Sequence, residues 1–265
     1  MDLGLKGRLA LITGSTRGLG RAIAEALAQE GVEVIINGRN EESVTKTMLE
    51  ISVKYRIQTW ACPVDVTDGK AIKTFFELGP VAAKGRLDIL VNNVGNIEKF
   101  GNFTDLEDED WIRCYNLTFM SAVRFTREAL PFLTASGNGK VINISSLISH
   151  QPGDHFPHYA PAKAALNNLT KYLAGHLGIR NICVNAICPS NVDWDKNLKD
   201  KVERDGISIA EAVKIISETE RNKSPLGVIG IPEDVANLAV YLASNKAEFL
   251  TGHIYNVDGG ITKGV

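Results

Sequence analysis

The chain has 265 residues, 44% hydrophobic and 23% charged, with 29 lysines and arginines against 31 aspartates and glutamates and a net charge of −2. That balance belongs to a globular protein able to bury a sizeable core. A pI near 6.2 gives no basic field for nucleic acid or an anionic membrane, and no apolar run approaches the ~20 residues of a membrane span.

Residues 1–6 have neither the charged nor the apolar region of a secretory signal. Short β-branched runs then recur at 9–13, 32–36, 58–63, 87–91, 140–145, 182–187 and 253–257. Their unbroken apolar character is that of strands buried on both faces of a parallel sheet. Helical patterns at 18–30, 41–55, 68–84, 107–135, 158–178 and 232–244 separate them. The alternation predicts a doubly wound α/β sheet in one domain, without linker, repeat or low-complexity segment. Only 191–225 breaks the rhythm, being polar and charged with a helical pattern at 209–219 and no strand. Ligands bind beyond the carboxyl ends of such strands, so this excursion reads as a substrate lid, with a packing or oligomer-contact helix as the alternative.

The first strand runs into Thr13-Gly14-Ser15-Thr16-Arg17-Gly18-Leu19-Gly20 and then a helix. A glycine-rich turn there lets backbone N–H groups and a helix N-terminus approach a pyrophosphate. An acid ending the second strand would bind the ribose 2′-hydroxyl of NAD. The chain reads Ile36-Asn37-Gly38-Arg39-Asn40 instead, and Arg39, assisted by Arg17, is suited to a 2′-phosphate. NADP(H) is therefore the expected cofactor, with NAD(H) the alternative. The four cysteines, Cys62, Cys114, Cys183 and Cys188, show no CxxC spacing and predict a reduced, cytoplasmic protein.

Tyr159 and Lys163 stand four residues apart, so a helix stacks phenol and ammonium on one face. The neighbouring positive charge is expected to lower the tyrosine pKa from about 10, giving the proton donor that carbonyl reduction or alcohol oxidation requires. Ser146 ends the fifth apolar run, and strand alternation turns Ser145 the other way.

These motifs resemble the short-chain dehydrogenase/reductase family from Gly7 to Gly260. The resemblance also includes Asp65 after strand three, Asn92-Asn93-Val94-Gly95 after strand four, Asn116 in a long helix, Asn185 and Pro189 around strand six, and Asp258-Gly259-Gly260. It implies a single Rossmann-like domain over 1–265, a seven-stranded parallel sheet flanked by helices. By the same resemblance the cofactor meets Gly14, Ser15, Thr16, Arg17, Gly18, Leu19, Gly20, Arg39, Val94, Gly95, Pro189 and Val192. Asp65 and Val66 would contact the adenine, and Asn92 would hold the strand beside it. Tyr159 would be the acid/base, Lys163 would bind the nicotinamide ribose, and Ser146 would hydrogen-bond the substrate oxygen. Asn116 would hold a proton-relaying water. Homotetramers, or dimers, are the family habit.

The chain departs from the pattern in three places. Ser190 and Trp194 stand where a glycine and a threonine are usual, leaving the nicotinamide contact open. Pro161 falls between Tyr159 and Lys163, which requires their helix to start near 157–159. His150, His155 and His158 with Asp154 fit no common ligand spacing, so no metal is expected. The resulting expectation is an NADP(H)-dependent oxidoreductase interconverting a small-molecule carbonyl and a secondary alcohol. It most resembles the 3-oxoacyl-carrier-protein reductases, through Ser224-Pro225-Leu226-Gly227 and Ile231-Pro232-Glu233-Asp234. A sugar, polyol or secondary-metabolite dehydrogenase is the alternative, and a non-catalytic nucleotide-binding relative is a third reading.

Overall fold

Strands buried on both faces need helices above and below them, and the chain supplies the two in alternation. The computed structural model describes residues 1–153, 156–190, 201–203 and 205–263. β1 (Leu9–Ile12) leads to α1 (Gly18–Gln29), β2 (Glu33–Asn37) to α2 (Glu41–Tyr55), and β3 (Thr59–Cys62) to α3 (Gly69–Leu78) and α4 (Pro80–Lys84). β4 (Ile89–Asn92) is followed by α5 (Asp108–Tyr115) and α6 (Ser121–Ala135), and β5 (Gly139–Ile144) by α7 (Tyr159–Leu177). After β6 (Ile182–Pro189) come α8 (Ile209–Lys223), α9 (Pro232–Ala243) and β7 (Ile254–Val257).

The strands form one parallel sheet in the order β3-β2-β1-β4-β5-β6-β7, so each expected strand run finds its place. The order reverses between β1 and β4, and all carboxyl ends open along one edge with a crevice at that switch point. Period-two alternation sorts the strand side chains into two cores. Ala10, Ile12, Val34 and Ile36 face α1 and α9, while Leu9, Leu11, Ile35 and Leu90 face α3 and α6.

Two expected helices are divided. The stretch 68–84 breaks at Gly79, which is extended (φ −87°, ψ −170°), and restarts with Pro80 at the first helical position, where a missing N–H removes no bond. The stretch 107–135 carries a π-helical turn at Asn116–Met120 between α5 and α6. Such a bulge re-aims the side chains on either side of it. α7 starts at Tyr159, so Pro161 lies in its first turn as the sequence requires. Of the expected lid, 191–200 and 204 lie outside the described residues, and α8 occupies the later part. Among the described residues no helix is long and apolar enough to cross a membrane.

A chain of buried polar side chains fixes α6 and α7 to the sheet. Asn92 Nδ2 donates to Thr126 Oγ1 (3.0 Å) and Asn143 Oδ1 (2.9 Å), and Asn143 Nδ2 donates to Thr170 Oγ1 (2.8 Å). Thr170 Oγ1 in turn donates to the Leu166 carbonyl within α7 (2.8 Å). Removing one member strands its buried partners away from water. Asn143→Ala is therefore expected to lower the unfolding free energy by about 2 kcal/mol, measured by urea denaturation.

Candidate active site

The crevice at the switch point is a cleft of about 550 Å³ running from Arg39 to Tyr159, a size typical of small-molecule and cofactor sites. Its walls are the β1–α1 turn, the end of β2, the loops after β3 and β4, and the ends of β5 and β6. Asn37 holds three of these loops together. Its Oδ1 accepts from the Gly14 N–H (3.0 Å), and its Nδ2 donates to the Cys62 and Val64 carbonyls (2.9 and 3.0 Å). Ser15 Oγ donates to the Ile12 carbonyl (2.7 Å) and accepts from the Asn37 N–H (3.0 Å), so this serine braces the turn from within. Asn93 closes the other side, its Nδ2 donating to the Thr13 carbonyl (3.0 Å) and its N–H to Thr13 Oγ1 (2.9 Å). A side chain at position 20 would collide with the Gly14 carbonyl and the Asn93 amide, so only glycine lets α1 begin this close to the turn.

Tyr159, Lys163 and Ser146 line the opposite end of the cleft. Lys163 is 1% exposed, and its Nζ donates to the Ile144 carbonyl (2.5 Å) at the end of β5. Position 95 has no room for a Cβ, which would lie 2.7 Å from Lys163 Nζ and 3.2 Å from Tyr159 Oη. The Ser145 hydroxyl donates to the Lys163 backbone carbonyl (3.2 Å). The Ser146 hydroxyl accepts only a long bond from the Ile148 N–H (3.4 Å), which leaves its proton available to the cleft.

Burial sets the charge state of this pair. Desolvation pushes Lys163 down from 10.5 to about 8, and it holds the Tyr159 phenol above its usual value. The expected depression of the tyrosine by its lysine does not hold in the protein alone, because the ammonium is itself disfavoured there. Its Nζ lies 5.5 Å from the phenol ring centre. Between pH 8 and 10.5 the unfolded chain keeps the Lys163 proton while the folded chain sheds it, so this group makes stability rise with pH across that window. The expected outcome is that Lys163→Met flattens the rise in unfolding free energy between pH 8 and 10, measured by denaturation at half-unit steps.

The other residues picked out by sequence divide into those that meet the cleft and those that do not. Gly14, Thr16, Arg17, Leu19, Gly20, Arg39, Val66, Val94, Gly95 and Pro189 line it. Asp65 accepts from the Thr67 N–H and hydroxyl (2.8 and 2.7 Å), forming a local turn, and Val64 and Val66 on either side face the cleft instead. Asn92 is 3% exposed within the polar chain beneath the floor, and Ser15 and Gly18 support the turn without lining the cleft. The Asn116 side chain does not line this cleft. Its Oδ1 accepts from Arg124 Nη2 (2.6 Å), and it lines an outer hollow with Trp111, Tyr115 and Pro161. The π-helical turn sends that side chain outward and turns Leu117 toward the cleft. Val192, Trp194, Asp154 and His155 lie outside the described residues. His158 packs edge-on against Trp111, and His150 Nε2 lies 3.6 Å from Cys188 Sγ. Among the described residues no group of three His, Cys, Asp or Glu side chains is placed to hold a metal.

Asn37, Glu98 and Leu117, to which sequence reasoning assigned no site role, also line the cleft, as do Asn93 and Ser190. The signal for Asn37 was its place at the carboxyl end of the strand beside the switch point. Glu98 lies in a loop whose course no periodicity reveals.

The cleft suits a dinucleotide. The N-terminus of α1 faces it, the glycine positions leave room for close approach, and exposed Arg17 and Arg39 stand at one end. A family model described as enoyl-(acyl carrier protein) reductase matches residues 14–262. The 3-oxoacyl-[acyl-carrier-protein] reductase of Aquifex aeolicus is 33% identical over 98% of this chain and 100% of its own. The L-sorbose reductase of Gluconobacter frateurii, solved with NADPH and L-sorbose, is 31% identical, covers 100% of both chains and superposes with a TM-score of 0.95. A 7α-hydroxysteroid dehydrogenase solved with NADH is 30% identical over 98% of this chain and 96% of that one, with a TM-score of 0.87. The chain belongs to the short-chain dehydrogenase/reductase family and is an NAD(P)-dependent oxidoreductase of that family.

Proposed function

We propose that this oxidoreductase uses NADP(H) to interconvert a small-molecule carbonyl and a secondary alcohol, with Tyr159 as the acid/base. The observation that carries the reading is the convergence of Ser146, Tyr159 and Lys163 at one end of a cleft whose other end presents Arg17 and Arg39. Neither arginine makes an ion pair among the described residues, so both remain available to a 2′-phosphate. Asn37, which ends β2 in place of an acid, is wholly committed to the Gly14, Cys62 and Val64 backbone.

When bound, the reduced nicotinamide supplies the hydride. A phenol that burial keeps protonated is ready to donate to the carbonyl oxygen. Ser146 Oγ donates a hydrogen bond to that same oxygen as negative charge develops. Lys163, anchored at the Ile144 carbonyl, stands behind the tyrosine and keeps further donors on the amine for the ribose. The buried Ser145–Lys163 and Asn143–Thr170 contacts hold α7 so that these groups do not drift.

Four free, buried cysteines support a reducing cytoplasmic setting. A homotetramer is supported by the apolar outer hollow between α5 and α7, where Ile112 and Tyr115 are 68% and 43% exposed. The stretch from 191 to 225 is read as the lid over the substrate end.

Tyr159→Phe keeps the ring and removes the proton. It is expected to reduce NADPH-dependent ketone turnover by at least about 10²-fold while NADPH binding, followed by fluorescence, persists. Wild-type protein that binds NADPH yet turns over no carbonyl would favour the non-catalytic reading. Arg39→Asp is expected to shift the NADPH/NADH ratio of kcat/KM toward NADH by about tenfold or more. An unchanged ratio in steady-state kinetics removes Arg39 from the 2′-phosphate assignment.

A further inference from the structure

The substrate end of the cleft differs in charge from the phosphate end. The cleft-lining cations among the described residues are Arg17 and Arg39 at the far end and the buried Lys163, already bound to the Ile144 carbonyl. Glu98 lines the cleft three residues beyond Gly95, the position pressed against Tyr159 and Lys163. Its side chain is 35% exposed, and its contact with Arg113 is long, 3.4 Å from Oε2 to Nε. Arg113 binds Asp110 more tightly (2.5 Å), and Lys99 is held by the same aspartate (2.7 Å). Arg113 is therefore shared between Glu98 and Asp110, and Lys99 is held by Asp110. Beyond them the loop and the first turn of α5 add exposed Asp105, Glu107, Asp108 and Glu109. Ser146, Tyr159 and Ser190 complete this end with neutral hydroxyls.

We infer that Glu98 binds substrate by accepting hydrogen bonds from hydroxyl groups, which makes the preferred substrate a neutral, polyhydroxylated ketone. The inference rests on the carbonyl-reductase reading above. A carboxylate beside the reacting carbonyl attracts hydroxyl donors, and a charged acceptor strengthens each bond. The same carboxylate repels an anionic substrate in a partly dehydrated cleft. Among the described residues this end has no free cation to answer such an anion.

The test uses the full chain with NADPH and three substrates of matched length: a ketohexose, the ketohexonate that ends in a carboxylate, and 2-hexanone. The expected order of kcat/KM places the ketohexose first. In Glu98→Gln the ketohexose-to-hexanone ratio is expected to fall about tenfold, through KM, and the ketohexonate-to-ketohexose ratio to rise by a similar factor. NADPH binding measured on the same variant shows that it folds. A wild-type preference for the ketohexonate or for 2-hexanone, or ratios unmoved in Glu98→Gln, overturns this inference and leaves the oxidoreductase reading intact. Turnover of none of the three alongside bound NADPH overturns both.

Discussion

The site depends on keeping the Lys163 amine inside the protein with no carboxylate paired to it among the described residues. A buried ammonium is expensive, and the structure meets that cost with one backbone carbonyl at the end of β5 rather than with an opposite charge. A paired carboxylate would have held the lysine as a cation in a salt bridge. The carbonyl leaves the amine close to its titration point, so binding a charged or polar group nearby can decide its state. Gly95 leaves room for this nitrogen, and Ser145 holds the Lys163 backbone carbonyl near the start of α7.

Neutral amides perform most of the positioning. Asn37, Asn92 and Asn93 sit at or just beyond the carboxyl end of a strand, where the parallel ladder runs out, and Asn143 sits one residue before the end of β5. An asparagine offers donor and acceptor together and carries no charge to desolvate, so it can join two or three loops at the bottom of a cleft. An aspartate or lysine in any of these places would alter the field in which Tyr159 and Lys163 titrate. The structural and catalytic demands therefore converge on one residue type.

How much of this was legible in the sequence follows from the range of each interaction. The strands and most helices were readable because their periodicity is local. The division at Gly79-Pro80 was written in the chain as well. Position along a motif was enough for Tyr159, Lys163 and Ser146, whose spacing on a helix or strand fixes where they point. It did not reveal which way the Asn116 side chain lies, because a π-helical turn shifts the phase of the helix and no residue pattern announces it. Asp65 also serves its own turn through a local hydrogen bond to Thr67, which its position along the motif did not announce. The tyrosine pKa went the other way because spacing reveals the neighbouring charge and not the depth at which both groups are buried.

The two ends of the cleft carry opposite charge, and that polarity orients whatever binds. A dinucleotide is most anionic where its phosphates lie, so Arg17, Arg39 and the N-terminus of α1 draw that part to the β1–β2 side. The same field, reversed by Glu98 and the acidic start of α5, disfavours phosphate at the Tyr159 end. On the reading proposed above, the nicotinamide rather than a phosphate rests beside the tyrosine, and a substrate without its own negative charge meets it there. The orientation of the cofactor and the choice of substrate are in this sense one electrostatic decision, made by residues on loops that the strand ends hold in place.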